Sequence, residues 1–402
     1  MAWIAINIAI FGLYLAWWIR VLTSEYQFYN STSNPALLSN SAAHLSLASN
    51  YPNFSIIIAY RDEQLRIQPL LESIPLLQFH GDWEVIFVND HSTDLGPNTI
   101  NQWIKAHPSI TVKHINNVQS GKKSAIQLGV ENAQNNWILT TDADCKLPIY
   151  WLQSFSEIIQ NQPNAQMIIG RVGYDLAATK HLLSTYEILE NQFLIALNWK
   201  KTKRQQLGFA NGANLCYKKE TFIELGGMQS HIHIASGDDT FTAEKFHIHF
   251  PNGIFINANP LAIVTTYTQT QLSDFCNQRL RWFKKSFLQK SQKTTVEQAF
   301  LAGILLAIWG LIAYAVYADY GIYALLPLAT KALADFIFGS MLLHWNNTTK
   351  KCSQLAASFR LRFNYQYLRI PIASAVQTFL LPILGLIAPF LQFRWKNRKY
   401  KA

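Results

Sequence analysis

The chain has 402 residues, 50% of them hydrophobic and only 14% charged, with a formal net charge of +10. Soluble domains carry about 25% charged residues, so this balance argues against an ordinary soluble protein and points toward a membrane. Its four cysteines (Cys145, Cys216, Cys276, Cys352) are far apart and lack CxxC spacing, which argues against a zinc site or disulfide framework and fits a reducing compartment.

Met1 to Ile19 holds no charged side chain and ends at Arg20. At about 1.5 Å per residue it just reaches across a bilayer core of roughly 30 Å. A signal peptide would place basic residues before the apolar run, and here they follow it. The positive-inside rule then puts the N-terminus outside and Arg20 onward in the cytoplasm. Four regions are expected: a membrane helix at 1–22, a Ser- and Asn-rich linker at 23–52, a catalytic domain at 53–290, and a membrane region of two to four segments with a basic tail at 291–402.

From Phe54 the pattern alternates. Apolar strands are expected at 54–60, 83–89, 110–115 and 137–141, separated by helices at 62–77 (interrupted near Pro69), 98–105 and 122–132. Such a chain builds a mostly parallel α/β sheet covered on both faces, with ligands bound outside the carboxyl ends of its strands. Those ends carry Tyr60-Arg61-Asp62-Glu63, Asn89-Asp90 with Asp94, and Asp142-Ala143-Asp144. Residues i and i+2 of an extended segment point the same way, so Asp142 and Asp144 can reach one point. Two carboxylates there repel unless a cation or proton lies between them, and hard oxygen ligands suit Mg²⁺ or Mn²⁺. Acidic pairs after strands also arise by chance.

Ser120-Gly121-Lys122-Lys123-Ser124 is not a P-loop, since Asn116 and Lys123 stand where Gly and Ser/Thr are required. It is either a helix start that offers lysine charge to a phosphate or a solvated helix end. A long helix is expected over 178–201. Phe209-Ala210-Asn211-Gly212-Ala213-Asn214 then reads as backbone approaching a ligand or as a tight turn. Ser236-Gly237-Asp238-Asp239 precedes a helix expected at 240–247, and one aspartate there can be an N-cap. Gln278-Arg279-Leu280-Arg281-Trp282 lies on an amphipathic helix whose plain reading is a basic interfacial anchor.

In this order AYRDE, NDHSTD, TTDADC, GDD and QRLRW resemble the motifs of the membrane-bound family 2 glycosyltransferases, over roughly residues 52–290. The resemblance implies a GT-A fold, a Rossmann-like, mostly parallel α/β domain, flanked here by transmembrane helices. It implies donor-nucleotide contacts at Tyr60, Arg61, Glu63, Asp90, Lys122 and Asp142, and a Mg²⁺ or Mn²⁺ site at Asp142 and Asp144. It also implies a catalytic base at Asp239, an acceptor loop at Gly212, Ala213 and Asn214, and acceptor or diphosphate contacts from Gln278, Arg281 and Trp282 (QxxRW). Lys123 is a further candidate for phosphate charge. Two departures stand out. The family usually shows Glu-Asp where this chain has Asp238-Asp239, so a one-residue shift would make Asp238 the base; and Arg61-Asp62 replaces other residues of many relatives.

The implied activity is inverting transfer from a nucleotide sugar, UDP by family habit, to a membrane lipid or lipid-linked acceptor. The alternatives are a processive synthase of poly-N-acetylglucosamine, chitin or hyaluronan type, and an inactive membrane assembly subunit. Expected partners are the nucleotide sugar, a lipid or glycan acceptor and the membrane, with no nucleic acid; the expected location is a bacterial inner membrane with the catalytic domain cytoplasmic.

Beyond Glu297 the chain is uncharged until Asp319. A second apolar run from Tyr320 to Leu343 contains Lys331 and Asp335, four apart and able to pair on one helical face. The loop 350–362 and the tail from Arg394 are both basic, which one span between them cannot satisfy. A re-entrant hairpin turning near Pro382 would put both on one side.

Overall fold

The computed structural model describes residues 2–32, 51–174, 182–203, 207, 209–229, 237–288, 296–350, 368–391, 393–395 and 398–400. Ser236, most of the expected linker and the basic loop at 351–362 lie outside the described residues. Helix α1 covers Ala2–Thr32, running into the stretch read as linker. Strand β1 (Phe54–Tyr60) is buried at all seven positions, which is why its sequence shows no polar alternation.

The helix expected at 62–77 is much shorter. Asp62 sits at φ +50°, a left-handed conformation that no helix continues through. Helix α2 begins only at Gln68 and ends at Ser73, followed by a 3₁₀ turn to Leu76; Pro69 lies in its first turn and starts it rather than breaking it. Next come β2 (Trp83–Asn89), α3 (Gly96–Ala106), β3 (Val112–Asn116), α4 (Lys122–Asn132), β4 (Trp137–Thr140) and α5 (Trp151–Asn161). Short strands β5 (Met167–Ile169) and β6 (Val172–Tyr174) lead to the long α6 (Leu182–Lys203). After it come β7 (Leu215–Lys218), α7 (Lys219–Glu224), α8 (Asp238–His249), β8 (Ile254–Ile256), β9 (Val264–Thr266) and α9 (Leu272–Leu288).

Seven strands form one sheet in the order β3-β2-β1-β4-β7-β5-β8. β1, β2, β3 and β4 pair in parallel, and so do β5 and β8; β7 runs antiparallel between β4 and β5. Alternate residues of the parallel strands feed two apolar layers. Ile56, Ile58 and Phe87 pack with Trp151 and Phe155 on one face, and Ile57, Ile86 and Val88 pack with Val130, Phe222 and Phe246 on the other. On that second face α4 comes close to β1, because a Cβ on Gly129 would lie 2.5 Å from an Ile57 methyl.

The apolar remainder consists of α10 (Val296–Tyr317), α11 (Leu326–Lys350) and a last helix, α12, running Ile370–Ala375, through a π-helical turn at Val376–Leu380, and on over Leu381–Ile387. Four stretches are long and apolar enough to cross a membrane: Ala2–Thr23, Phe300–Tyr317, Gly321–Leu342 and Ile370–Ile387. Tyr14, Trp17 and Trp18 of α1 pack with Ile304 and Ile308 of α10 and with Ala334 and Leu342 of α11. Inside this bundle Lys331 and Asp335 pair at 2.5 Å. Lys331 also donates to Ser374 and Gln377 of α12, while Asp335 accepts from Tyr14 and Trp18.

The hairpin expected at Pro382 is corrected: α12 passes through that residue without reversing. Proline has no N–H for the carbonyl four residues earlier, Thr378. Trp309 Nε1 of α10 donates to that oxygen at 3.0 Å, so the missing bond is replaced from a neighbouring helix. A short hairpin, Phe393–Trp395 with Arg398–Tyr400, follows.

Candidate active site

The carboxyl ends of β1 and β2 are joined by their loops. Asp62 accepts from the N–H and hydroxyl of Thr93, and those bonds hold its carboxyl below the usual range although burial works the other way. Asp94 accepts from Gln64 N–H at 2.8 Å, and Arg61 donates to Asp90 O at 3.0 Å. This knot uses up residues 61–67 and explains the shortened α2. Tyr60 faces the core, 1% exposed, with its hydroxyl 2.6 Å from His114 Nε2. Glu63 is 3% exposed and pairs with Arg66, whose other side reaches Asp144 at 3.6 Å.

Asp90 is 2% exposed and accepts from Gly121 N–H at 2.7 Å and from Asn117 Nδ2 at 3.1 Å. Gly121 takes φ +128°, where a side chain would be strained, and this bend starts α4 with Lys122 in its first turn. Asp90 therefore fixes the origin of the helix that carries the lysine. Lys123 points elsewhere, over the Phe241 ring at 4.9 Å.

Lys122 marks the centre of the site. Its Nζ lies 2.7 Å from Asp142 Oδ1 at the end of β4 and 3.3 Å from Asp238 Oδ2 at the start of α8. Burial pulls the ammonium's pKa down, but Asp142, Asp238 and Asp239 outweigh it and raise it above the ordinary lysine value. The lysine is a fixed positive charge here.

The expectation that one aspartate of the GDD run caps α8 is corrected. Gly237 holds the cap position at φ +84°, and both Asp238 and Asp239 lie inside the first turn. Asp239 accepts from Gly212 N–H at 3.3 Å and from the Thr240 hydroxyl at 2.9 Å. The Gly212 carbonyl is held in turn by Thr140 Oγ1 of β4 at 2.8 Å. A Cβ on Gly212 would come within 2.9 Å of Asp238 Oδ2 and 3.6 Å of Lys122 Nζ, so the absent side chain leaves a cradle between α4 and α8. Ala213 and Asn214 lie beneath it. Asn214 is fully buried, bonded to Trp151 Nε1, Arg171 O and Ala262 O, and locks the loop from below.

From the far side comes α9. Burial lowers the Arg281 guanidinium from its ordinary value, while Asp238, Asp142, Asp239 and Asp144 push the other way; Arg281 stands in the field of all four. Three of the five motifs thus meet, through Asp142 and Asp144, Asp238 and Asp239, and Arg281, with Lys122 of the glycine-led helix start between the aspartates. Two features carry no motif role: Arg279, at an unspecified position of QxxRW, and the strand β7 that carries the Gly212 loop to the edge of β4. The spacing of Phe275, Arg279 and Trp282 on one helical face was the available signal for Arg279.

Carboxylates dominate this donor set, which suits a hard divalent cation. Among the described residues no three Asp, Glu, His or Cys side chains gather closely enough to ligate one ion. The arrangement therefore fits a cation held by one or two carboxylates plus substrate phosphates, and not a closed protein cage.

Comparison with known proteins agrees with this geometry. Residues 55–226 match the family model Glycosyl transferase family 2. The matched segment runs from the second residue of β1 through β7 and includes the Lys122 helix and both aspartates that follow β4. Over 242 residues the chain is 24% identical to the probable glycosyltransferase YdaM of Bacillus subtilis, covering 58% of this chain and 54% of that protein. Over 106 residues it is 35% identical to the putative glycosyltransferase CsbB of the same organism, covering 25% of this chain and 31% of that one. These alignments span about half of the first relative and less of the second. The mannosyltransferase PcManGT from Pyrobaculum calidifontis, solved with GDP-Man and Mn²⁺, superposes with a TM-score of 0.52 at 18% identity, over 93% of this chain and 98% of that one. The α/β domain is thus GT-A-like, a mostly parallel mixed sheet, accompanied by four apolar helices.

Proposed function

We propose that the protein is an inverting, metal-dependent glycosyltransferase that moves a sugar from a nucleotide diphosphate sugar to a lipid or lipid-linked acceptor at a membrane. The observation that carries this reading is the meeting of Asp142, Lys122, Asp238 and Asp239 beside the open backbone of Gly212, with the Arg281 guanidinium in the field of the same aspartates.

Each residue then has a task. Lys122 and Arg281 bring positive charge to the donor diphosphate. A divalent cation held by Asp144 and Asp142 together with the donor phosphates would supply further neutralisation of the leaving diphosphate. Asp239, oriented by the Gly212 N–H and the Thr240 hydroxyl, takes the proton of the acceptor hydroxyl. The acceptor oxygen bonds to the anomeric carbon as the bond from that carbon to the diphosphate oxygen breaks, and the electron pair leaves with the nucleoside diphosphate. A single displacement inverts the anomeric centre, as in inverting glycosidases. Asp238 is taken up by Lys122, which favours Asp239 as the base.

The four apolar helices support a membrane acceptor. In this reading the catalytic domain faces the cytoplasm from a bacterial inner membrane, within reach of nucleotide sugars; the basic residue that follows the first apolar run, Arg20, supports that orientation. The test is product analysis of membranes containing the protein, incubated with labelled UDP-glucose, UDP-N-acetylglucosamine and GDP-mannose, with Mn²⁺ or chelator. Metal-dependent label in a small organic-extractable product is expected; label in a long polymer would replace lipid transfer by a synthase. Asp239→Asn should lower turnover by about 10²–10⁴-fold while leaving nucleotide binding intact. A fully active variant refutes the assignment of the base.

A further inference from the structure

Beneath the QxxRW run lies a sealed charge cluster to which the mechanism assigns nothing. Arg279 is 2% exposed, with its Nη2 at 2.7 Å from Glu190 and 3.9 Å from Glu187, both on α6. Its guanidinium is clasped by rings, 4.3 Å from the centroid of Trp282, 4.6 Å from Phe275 and 5.5 Å from Tyr186. Tyr186 completes the cluster by donating to Glu190 at 2.6 Å, and Gln269 N–H, just ahead of α9, donates to Glu187 at 2.9 Å.

Helical geometry gives the cluster its consequence. Positions 275, 279 and 282 share one face of α9, whereas position 281 stands about 200° round from 279 at about 100° per residue. Seating Arg279 against α6 therefore turns Arg281 away from α6, and there its charge lies in the field of the four site aspartates. The same α6 faces the apolar bundle: Phe193 packs on Trp17 of α1 at 5.2 Å, and Ile188 packs on Ile370 of α12. One helix thus holds the bundle on one side and the rotation of α9 on the other.

We propose that Arg279 is a positioning residue, whose seat among Glu187, Glu190, Phe275 and Trp282 fixes the rotation of α9 and so presents Arg281 to the diphosphate end of the active site. The inference rests on the glycosyltransferase reading for its kinetic consequence and on geometry alone for the rotation. Burial raises the Glu187 carboxyl above its ordinary range, against the pull of Arg279 and the Gln269 N–H, and Glu190 is the closer charge partner of the guanidinium. Lysine would keep the charge but lose the planar guanidinium that the three rings surround.

The test compares Arg279→Met, Arg279→Lys and Glu190→Gln with the full-length protein in membranes. Arg279→Met is expected to lower kcat by about 10–100-fold, the scale of a small misplacement of a catalytic group, with the donor KM changed less than about threefold. Arg279→Lys should recover part of kcat, and Glu190→Gln should behave like a weaker Arg279→Met. Equal kcat in Arg279→Met, or a loss that follows only the folded fraction, overturns the proposal. A second readout needs no turnover. Cys276 lies one turn before Arg279, half-buried against α12, and its maleimide labelling in a Cys352→Ser background reports how α9 is seated. Labelling should speed up about tenfold in Arg279→Met at unchanged folded fraction, and an unchanged rate also overturns the proposal. If wild-type membranes turn over no donor, the glycosyltransferase reading fails while the labelling result still decides the rotation.

Discussion

Two lysines of this chain, Lys122 and Lys331, are each paired to an aspartate at close range, 2.7 Å and 2.5 Å, in opposite surroundings. The Lys331 and Asp335 side chains are 2% and 7% exposed, and the hydrogen-bond partners that complete the pair come from other helices of the bundle. Lys122 and Asp142 are 23% and 35% exposed, and around them carboxylates outnumber cations. The sealed pair is satisfied where it stands, so it serves assembly. The open one has contacts that water or a ligand can replace, together with an acidic surplus that incoming positive charge would relieve. Equal pair geometry therefore says little about role; what surrounds the pair decides it.

The sharpest way to break the contrast is to remove one partner of the sealed pair. Asp335→Leu leaves an ammonium among apolar helices and takes the acceptor from Tyr14 and Trp18. Losing one member of a buried ion pair costs about 3–5 kcal/mol, and a large drop in thermal unfolding temperature in detergent is expected. Replacing both members, Lys331→Met with Asp335→Leu, should restore most of it. If the single variant unfolds like the wild type, the pair does not hold the bundle.

The open pair should respond in ligand affinity. Lys122→Met removes the positive charge that the proposed mechanism directs at the donor diphosphate and takes one cation from Asp142 and Asp238 at once. Nucleoside diphosphate affinity should fall about tenfold, or about 1.4 kcal/mol, while Mn²⁺ alone binds more tightly because Asp142 and Asp238 lose their internal cation. Manganese titration followed by its paramagnetic resonance signal reads the second effect without any turnover. Opposite signs for the two ligands would mark Lys122 as exchangeable charge. A uniform loss would make it a structural residue like Lys331.

What the sequence revealed follows the same division between local and distant causes. β1 and β2 are legible to the residue because strands buried on both faces write unbroken apolar runs, and α4 because Gly121 marks its start. The strand ends and their aspartates follow from those two facts. The region after β1 misleads because Asp62 and Asp94 knit two loops together, a contact between strand ends that no local pattern encodes. Arg279 is hidden for the same reason, since its partners are on α6, far away in sequence. Lys331 and Asp335 are legible as a pair because one helical turn joins them, but Tyr14, Trp18, Ser374 and Gln377 are not.

Pro382 offers the finest probe of the sealed region. Read alone, a proline in an apolar run invites a turn; in the fold the run continues as one helix because another helix supplies what proline lacks. The π-helical turn precedes Pro382, and Trp309 of α10 donates to the orphaned Thr378 carbonyl while its ring meets Phe379 edge-on at 5.2 Å. Trp309→Phe keeps an aromatic ring and removes only the donor. The expected cost is about 1–3 kcal/mol, the scale of a buried acceptor left unsatisfied, and smaller than that of Asp335→Leu. Pro382→Ala in the same background gives residue 382 its own N–H for Thr378, so it should recover much of that loss. Recovery would show that Trp309 stands in for a backbone hydrogen bond, whereas additive losses would mean that the indole acts through packing alone.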